Sequence, residues 1–267
     1  MSHIEVERDG PVATLWLNRP EKLNALSEDM WADIPRAVED LDDDPDIRVI
    51  MVAGRGRAFT VGIDLALLAG LQPSEGSMAT RSDAVYRDIR RLQRTVDSFA
   101  NTDKPVIAAI HGYCIGAGVN LISACDLRLA TTDATFSIRE TKMGLVADIG
   151  ALQRLPLILG EATVAEMAFT GADYDSSWAL ERGLVSQVLA NTDELNRATT
   201  ELANQIAANS PLVTKGIKAV LRGGRGRPVE EGLELVARWN STHLLSNDLT
   251  EAMTAFLEKR APRFTGE

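Results

Sequence analysis

The hydrophobic pattern begins with two strand-like stretches, residues 4–7 and 12–17, on either side of Asp9-Gly10. Asp-Gly between two such stretches is a strong β-hairpin signal. Ser27 then precedes a stretch of helical period that runs to about Leu41 and stops at Asp42-Asp43-Asp44-Pro45. Because Ser is a favoured N-cap and Pro cannot continue a helix, this stretch predicts one long helix.

Further along, short apolar runs at residues 49–53, 106–110, 127–130 and 135–138 predict buried strands, and residues 82–100 have helical period. Residues 70–82 have no period and are rich in loop-forming residues, which predicts a mobile loop. Strands that alternate with helices indicate a sheet built from βαβ crossovers. After about residue 189 the pattern is helical, with a break at residues 223–228. We therefore predict an α/β core over residues 1–200 and a helical C-terminal subdomain over residues 201–267.

Two segments share the order strand, glycine-rich turn, helix. One covers residues 54–65, with Asp64 as a candidate N-cap, and the other covers residues 111–126 with Gly112, Gly116 and Gly118. No Lys follows these glycines in the spacing of a phosphate-binding loop. A turn at a helix N-terminus directs backbone N–H groups at an anionic oxygen, although a tight connection without a ligand is the alternative for either turn alone. Two such donors on one oxygen would form an oxyanion hole.

Composition narrows the classes of partner. The chain has 267 residues, a net charge of −10 and a pI of about 4.9, which disfavours nucleic acid as a partner. Cys114 and Cys125 lie in one apolar segment and are expected to be reduced, and His3, His111 and His243 are too scattered to predict a metal site. The sequence shows no apolar run of about 18 residues and no charged-then-apolar leader. The expectation is a cytoplasmic protein with no membrane partner.

Sequence motifs spread along the chain bear on the chemistry. They are Arg-Ala-Phe-Thr-Val-Gly-Ile-Asp-Leu at residues 57–65, His-Gly-Tyr-Cys-Ile-Gly-Ala-Gly at residues 111–118, and further motifs at residues 17–26, 152–156, 179–185 and 255–260. In this order they resemble the crotonase (enoyl-CoA hydratase/isomerase) superfamily. The resemblance implies a crotonase-like ββα spiral core with C-terminal helices that pack between subunits of a homotrimer or a dimer of trimers.

The resemblance also implies the ligand and its site. The substrate would be a coenzyme A thioester, with no covalently bound cofactor and no metal. The oxyanion hole would consist of the N–H groups of Ile63 and Ala117. Residues expected to contact the substrate or its coenzyme A moiety are Lys22, Ala25, Val61, Gly62, Asp64, Leu65, Gly118 and Asn120.

Glu140 and Asp148 are the candidate acid–base residues. From the sequence alone, Glu140 could instead pair with Lys142 on the surface, and Asp148 could cap a helix over residues 149–155. An Asp between apolar residues is nevertheless a candidate for a raised pKa. Within the superfamily, the motifs of this chain most resemble those of Δ3,5,Δ2,4-dienoyl-CoA isomerases, and the resemblance implies an acidic pair at these two positions in that subgroup.

Position 120 separates the possible activities. The resemblance implies a second catalytic Glu there in hydratases and an Asp in dienoyl-CoA isomerases, whereas this chain has Asn120, which cannot titrate. We therefore expect an enoyl- or dienoyl-CoA isomerase in which Asp148 removes the C2 proton and Glu140 returns a proton farther along the acyl chain. The alternatives are an enoyl-CoA hydratase and a non-catalytic acyl-CoA-binding protein.

Overall fold

The computed structural model describes residues 3–70 and 76–267, which form the α/β arrangement that the sequence predicts. Its strands are β1 (Ile4–Asp9), β2 (Val12–Leu17), β3 (Val49–Gly54), β4 (Val106–Ile110), β5 (Tyr113–Ile115), β6 (Leu127–Thr131), β7 (Thr135–Ser137), β8 (Tyr174–Asp175) and β9 (Gln187–Leu189). Six of them form one sheet in the order β1-β2-β3-β4-β6-β9, and the other three form a second sheet in the order β5-β7-β8.

The pairing of the strands follows from the connections between them. The predicted hairpin at Asp9-Gly10 is confirmed, since β1 and β2 are antiparallel. All other neighbours in the larger sheet are parallel, which requires the crossovers that the alternating pattern predicts. Strand β5 differs from the prediction, because its residues were expected to belong to the turn. Its parallel partner is β7, and a pairing so distant in sequence leaves no local signal.

Twelve helices lie in the described ranges. They are α1 (Glu28–Asp43), α2 (Leu65–Gly70), α3 (Met78–Asn101), α4 (Ala117–Ala124), α5 (Ala151–Arg154), α6 (Pro156–Leu159), α7 (Glu161–Thr170), α8 (Ser176–Glu181), α9 (Thr192–Ala207), α10 (Pro211–Gly224), α11 (Val229–His243) and α12 (Asn247–Glu258). Two further stretches, Pro20–Lys22 and Arg139–Met143, are short 3-10 helices. Within the same ranges, no helix combines the length and apolar composition needed to cross a membrane.

The N-termini of the helices can be compared with the predicted caps. The Ser27 cap is confirmed, since its hydroxyl accepts from Met30 N. The loop predicted over residues 70–82 is wrong from Met78 onward, because Ser77 caps α3 there, and residues 71–75 lie outside the described part. Asp148 does not cap α5. That helix begins after Gly150, whose φ of +123° lets the chain turn into it.

Apolar layers cover both faces of the larger sheet. Alternate side chains of β3 point to opposite faces, so Ile50 and Val52 join the core beneath α1 and α3, whereas Val49 and Met51 join the layer beneath α9. Burial on both faces explains why β3 is apolar throughout its length. The domain division predicted at residue 200 stays a prediction. Residue 200 lies within α9, which packs on the sheet. A boundary after residue 207 would keep the whole of α9 in the core domain.

Polar contacts of α10 attach it to the core. Lys218 on α10 donates to Phe99 O at 3.0 Å and Lys104 O at 2.8 Å, and it pairs with Asp126. Arg222, one turn later, donates to the carbonyls of Ala100 and Asn101. These cations satisfy carbonyls at the C-terminus of α3, where positive charge is favoured.

Candidate active site

The turns that follow β3 and β4 are held together by backbone hydrogen bonds. Phe59 N donates to His111 O at 2.8 Å, Thr60 N to Tyr113 O at 2.9 Å, and Ile115 N to Thr60 O at 3.1 Å. Because β3 and β4 are neighbouring parallel strands, their carboxyl ends lie at the same edge of the sheet, and these bonds extend the pairing beyond it. The structure thus brings the two glycine-rich segments together.

Gly62 permits the closest approach between the two turns. Its φ is +94°, and a Cβ atom on it would lie 2.8 Å from Ile115 O and 3.2 Å from Ala117 N. Only glycine avoids both the strain and the contact. The N–H groups of Ile63 and Ala117 therefore belong to adjoining stretches of backbone. Neither has a protein acceptor among the described residues, and Ala117 begins α4, where N–H groups are free.

A cavity of about 270 Å³ opens beside these donors. Its walls are mostly apolar and come from both turns, from α1 and α3, and from the stretch between β7 and α5. The apolar and glycine residues that line it are Trp31, Val61, Gly62, Ile63, Leu65, Val85, Ile89, Leu92, Ile115, Gly116, Ala117, Met143, Leu145 and Ile149. A cavity of this character suits an acyl chain. The charged residues at its wall are Asp88, Arg139, Glu140 and Asp148.

Glu140 is half-buried at the cavity wall, in the 3-10 helix that follows β7. Its Oε1 accepts from Asn120 Nδ2 at 3.0 Å, and its Oε2 is buried with no partner among the described residues. Burial raises the pKa of this carboxyl, the charge of Asp148 raises it further, and hydrogen bonds from the backbone and from Asn120 oppose the rise. The structure records no ion pair with Lys142 in the described ranges.

Asp148 borders the same cavity. The residue is exposed, yet the neighbouring side chains desolvate its carboxyl enough to raise its pKa. A backbone hydrogen bond opposes this rise. Two carboxyls with upward-shifted pKa values therefore face one apolar space beside two free N–H donors. Proton transfer next to a stabilised oxyanion is the chemistry that such groups can perform.

Asn120 lies behind the cavity wall. It is fully buried, and its amide bonds to Gly116, Glu140 and Ala151. Protein partners occupy both ends of the amide, and the expected contact between Asn120 and the substrate stays a prediction. Gly118 is also behind the wall, where a Cβ atom would lie 2.7 Å from Thr60 Cγ2.

Other residues expected to bind the substrate lie near the first turn and outside the cavity lining. Asp64 pairs with Arg19, whose hydrogen bond is the main cause of the lowered pKa of that carboxyl. Arg19 also donates to Ala25 O at 3.1 Å. Lys22 is exposed in the neighbouring 3-10 helix. The binding roles of Lys22, Ala25 and Asp64 stay predictions.

Sequence reasoning missed the residues of α3 that hold the Asp148 segment. Gln93 Nε2 donates to Asp148 O at 2.6 Å, and Asp97, one turn later, pairs with Arg154 on α5. Their spacing of four residues along a helix is the one available signal, and it identifies no partner. Helix α3 thus supplies both an apolar wall of the cavity and the support of one carboxyl.

No group of three or more His, Cys, Asp or Glu residues within the described ranges could hold a metal ion. Cys114 and Cys125 are both buried, and burial raises the pKa of the Cys125 thiol to about 12. A thiolate at either position is therefore disfavoured.

The model of the enoyl-CoA hydratase/isomerase family matches residues 7–267. The chain belongs to this family. Members of the enoyl-CoA hydratase/isomerase family act on coenzyme A thioesters without a covalently bound cofactor. The solved enoyl-CoA hydratase of Bacillus anthracis superimposes with a TM-score of 0.90 at 28% identity, covering 99% of this chain and 100% of that one. The predicted crotonase-like fold is thereby confirmed.

Two curated relatives in this family carry isomerase names. The peroxisomal Delta(3,5)-Delta(2,4)-dienoyl-CoA isomerase of Arabidopsis thaliana is 46% identical over 98% of this chain and 95% of its own length. The mitochondrial enzyme of the same name from Dictyostelium discoideum is 40% identical over 95% and 87%. The predicted resemblance to the dienoyl-CoA isomerases is confirmed. The expectation of a cytoplasmic protein is wrong, because these relatives are named for peroxisomes and mitochondria.

Replacing Gln93 with Ala should loosen the Asp148 segment. A net hydrogen bond contributes about 0.5–1.5 kcal/mol, so amide hydrogen exchange at residues 147–150 should accelerate by up to about tenfold. Gln153→Ala is the matched control, since that side chain is exposed on α5. Equal exchange in the two variants, measured by mass spectrometry, would show that Gln93 does not support Asp148.

Proposed function

We propose that this protein isomerises a 3,5-dienoyl-CoA to the 2,4-dienoyl-CoA. The observation that carries the proposal is that Glu140 and Asp148 line one apolar cavity together with Ile63 and Ala117. The isomerase names of relatives up to 46% identical support it. An enoyl-CoA hydratase is the second candidate, favoured by the close structural likeness to the hydratase of Bacillus anthracis.

The reaction needs one proton removed and one returned. Loss of a proton from C2 leaves a trienolate whose negative charge is delocalised from the thioester oxygen through C2 and C4 to C6. The N–H groups of Ile63 and Ala117 would donate to that oxygen and stabilise the charge as it forms. Addition of a proton at C6 moves both double bonds, and the composition of the substrate is unchanged.

Asp148 would remove the C2 proton and Glu140 would supply the proton at C6. Desolvation makes the ionised Asp148 a stronger base than a carboxylate in water. Burial favours the protonated form of Glu140, which suits an acid. Hydration requires groups that activate a water molecule as well. Asn120 cannot titrate and cannot serve as the second acid of a hydratase.

The coenzyme A moiety would lie along the first turn, outside the acyl cavity. Leu65 is 63% exposed and lines the cavity, so it would contact the substrate where the acyl chain enters. Val61 and Gly62 would border the thioester, and Lys22, Ala25 and Asp64 would lie beside the coenzyme A moiety. The exposed ammonium of Lys22 would bind a phosphate of coenzyme A.

The protein would assemble as a homotrimer or a dimer of trimers through its last helices. Large apolar side chains on α12 and just before it are open to solvent, among them Leu245 at 94% exposure, Phe256 at 84% and Leu257 at 78%. Exposed apolar residues grouped in this way are typical of a protein interface. A second copy of the chain is the proposed occupant.

The activity is tested by ultraviolet absorbance on two substrates. Isomerisation of 3,5-dienoyl-CoA brings both double bonds into conjugation with the thioester and raises the absorbance, whereas hydration of 2-enoyl-CoA lowers it. Asp148→Asn should reduce isomerisation by about 10²–10⁴-fold with little change in acyl-CoA binding. Asp88→Asn, at another part of the wall, should lose less than about tenfold. Full isomerase activity in Asp148→Asn would disprove the assigned base.

Ala117 offers a test of the oxyanion hole. Proline is accepted at the first position of a helix, so Ala117→Pro removes the N–H while α4 can form. The rate should fall by about 10²–10³-fold. Ala117→Gly keeps the donor and should have a mild effect. A folded Ala117→Pro protein, judged by circular dichroism, with normal turnover would mean that this N–H does not bind the thioester oxygen.

The assembly is tested by charge on the exposed helix. Phe256→Glu combined with Leu257→Glu should lower the oligomer mass measured by light scattering, because charged side chains are disfavoured in an apolar interface. Asn247→Glu, at an exposed position on the side of the same helix opposite Phe256, should leave the mass unchanged. An unchanged mass in the double variant would rule out this face as the interface.

A further inference from the structure

Asn120 connects three parts of the site through one buried amide. Its Nδ2 donates to Gly116 O at 3.1 Å and to Glu140 Oε1 at 3.0 Å. Its Oδ1 accepts from Ala151 N at 2.6 Å. The residue has no exposed surface, so both ends of the amide are committed to the protein.

These three partners fix the direction of the amide. The N–H of Ala151 requires an acceptor and the carbonyl of Gly116 requires a donor, so Nδ2 and not Oδ1 faces Glu140. An ionised Asp at this position would place an acceptor against both Gly116 O and Glu140 Oε1. Such an arrangement needs a proton between the two carboxyls. The amide makes that shared proton unnecessary.

The two oxygens of Glu140 are consequently different. Oε1 is occupied by the amide, whereas Oε2 has no partner among the described residues. A Cβ atom on Gly116 would lie 3.7–3.8 Å from the carboxyl atoms, so the carboxyl lies directly beside the turn that presents Ala117 N–H. A side chain at position 116 would occupy this space.

We propose that Asn120 is a positioning residue whose amide, through its hydrogen bond to Oε1, holds the Glu140 carboxyl in the orientation from which it exchanges a proton with the acyl chain. This inference rests on the proposed function, in which Glu140 transfers a proton to the substrate. It adds that the amide also determines the pH at which Glu140 loses its proton. Asn120 acts through Glu140 and does not touch the substrate.

Other charged groups near Glu140 could also affect the pKa of its carboxyl. They belong to Asp148 and Asp88 at the cavity wall, Arg139 and Lys142 on the same 3-10 helix, and Glu166 on α7, which packs against it. Of these, Asp148 shifts the pKa of Glu140 through its charge, and the shift is upward. The hydrogen bond from Asn120 acts in the opposite direction.

Asn120→Asp is the isosteric test. It replaces a donor to Glu140 with a like charge, so the pair should hold its proton to higher pH. The pH at which turnover falls through ionisation of Glu140 should rise by about one unit or more, with the KM unchanged. Asn204→Asp adds the same charge at an exposed site on α9 and should shift nothing. A purely structural role would lower the melting temperature and leave the pH profile unchanged.

A direct titration separates this inference from the proposed activity. Infrared difference spectra of protein with carbon-13-labelled Glu carboxyls, assigned with Glu140→Gln, report the protonation of Glu140 without any substrate. Its midpoint should lie about one unit or more higher in Asn120→Asp than in the wild type. If Asn120→Asp does not fold, Asn120→Ala removes the donor and should raise the midpoint by a smaller amount. Equal midpoints would overturn the inference, and a wild type inactive on dienoyl-CoA would overturn only the proposed function.

Discussion

The site depends on the contact between two backbone turns. Residues 60–62 and 115–118 lie so close that a Cβ atom on Gly62 would come within 2.8 Å of Ile115 O, and one on Gly118 within 2.7 Å of Thr60. Real Cβ atoms do not approach so closely. Glycine at these positions lets the hydrogen bonds of Thr60 join the turns, and the same contact leaves two N–H groups without acceptors in the part of the protein that the structure describes. The cavity and its carboxyls are arranged around that pair of donors.

The two carboxyls are supported from different directions. Glu140 is half-buried and is held by the amide of Asn120, whereas Asp148 is exposed and its backbone is held by Gln93 of α3. In both cases desolvation raises the pKa, so both groups can exchange protons closer to neutral pH than they could in water. The apolar cavity causes this rise in pKa, because it offers few polar groups to solvate an ionised carboxylate.

Features with a strong local signal could be predicted from the sequence. The Asp9-Gly10 hairpin, the Ser27 cap and the apolar strands all follow from short patterns. The features that the sequence did not predict depend on contacts between distant residues. Strand β5 forms through its pairing with β7, and the roles of Gln93 and Asp97 are visible only in their contacts with Asp148 and Arg154. The alternative role of Asp148 as a helix cap does not occur, because Gly150 turns the chain two residues later. The motifs predicted that the two glycine-rich turns share one site. The position of Asn120 behind the cavity wall could be seen only in the structure.

The most direct test is a crystal structure of the protein with a non-reactive acyl-CoA. We expect the thioester oxygen to lie within strong hydrogen-bond distance, about 2.7–3.1 Å, of both Ile63 N and Ala117 N. We also expect the acyl chain to pass between Glu140 and Asp148. A thioester oxygen bound away from these donors, or an acyl chain outside the cavity, would contradict the account.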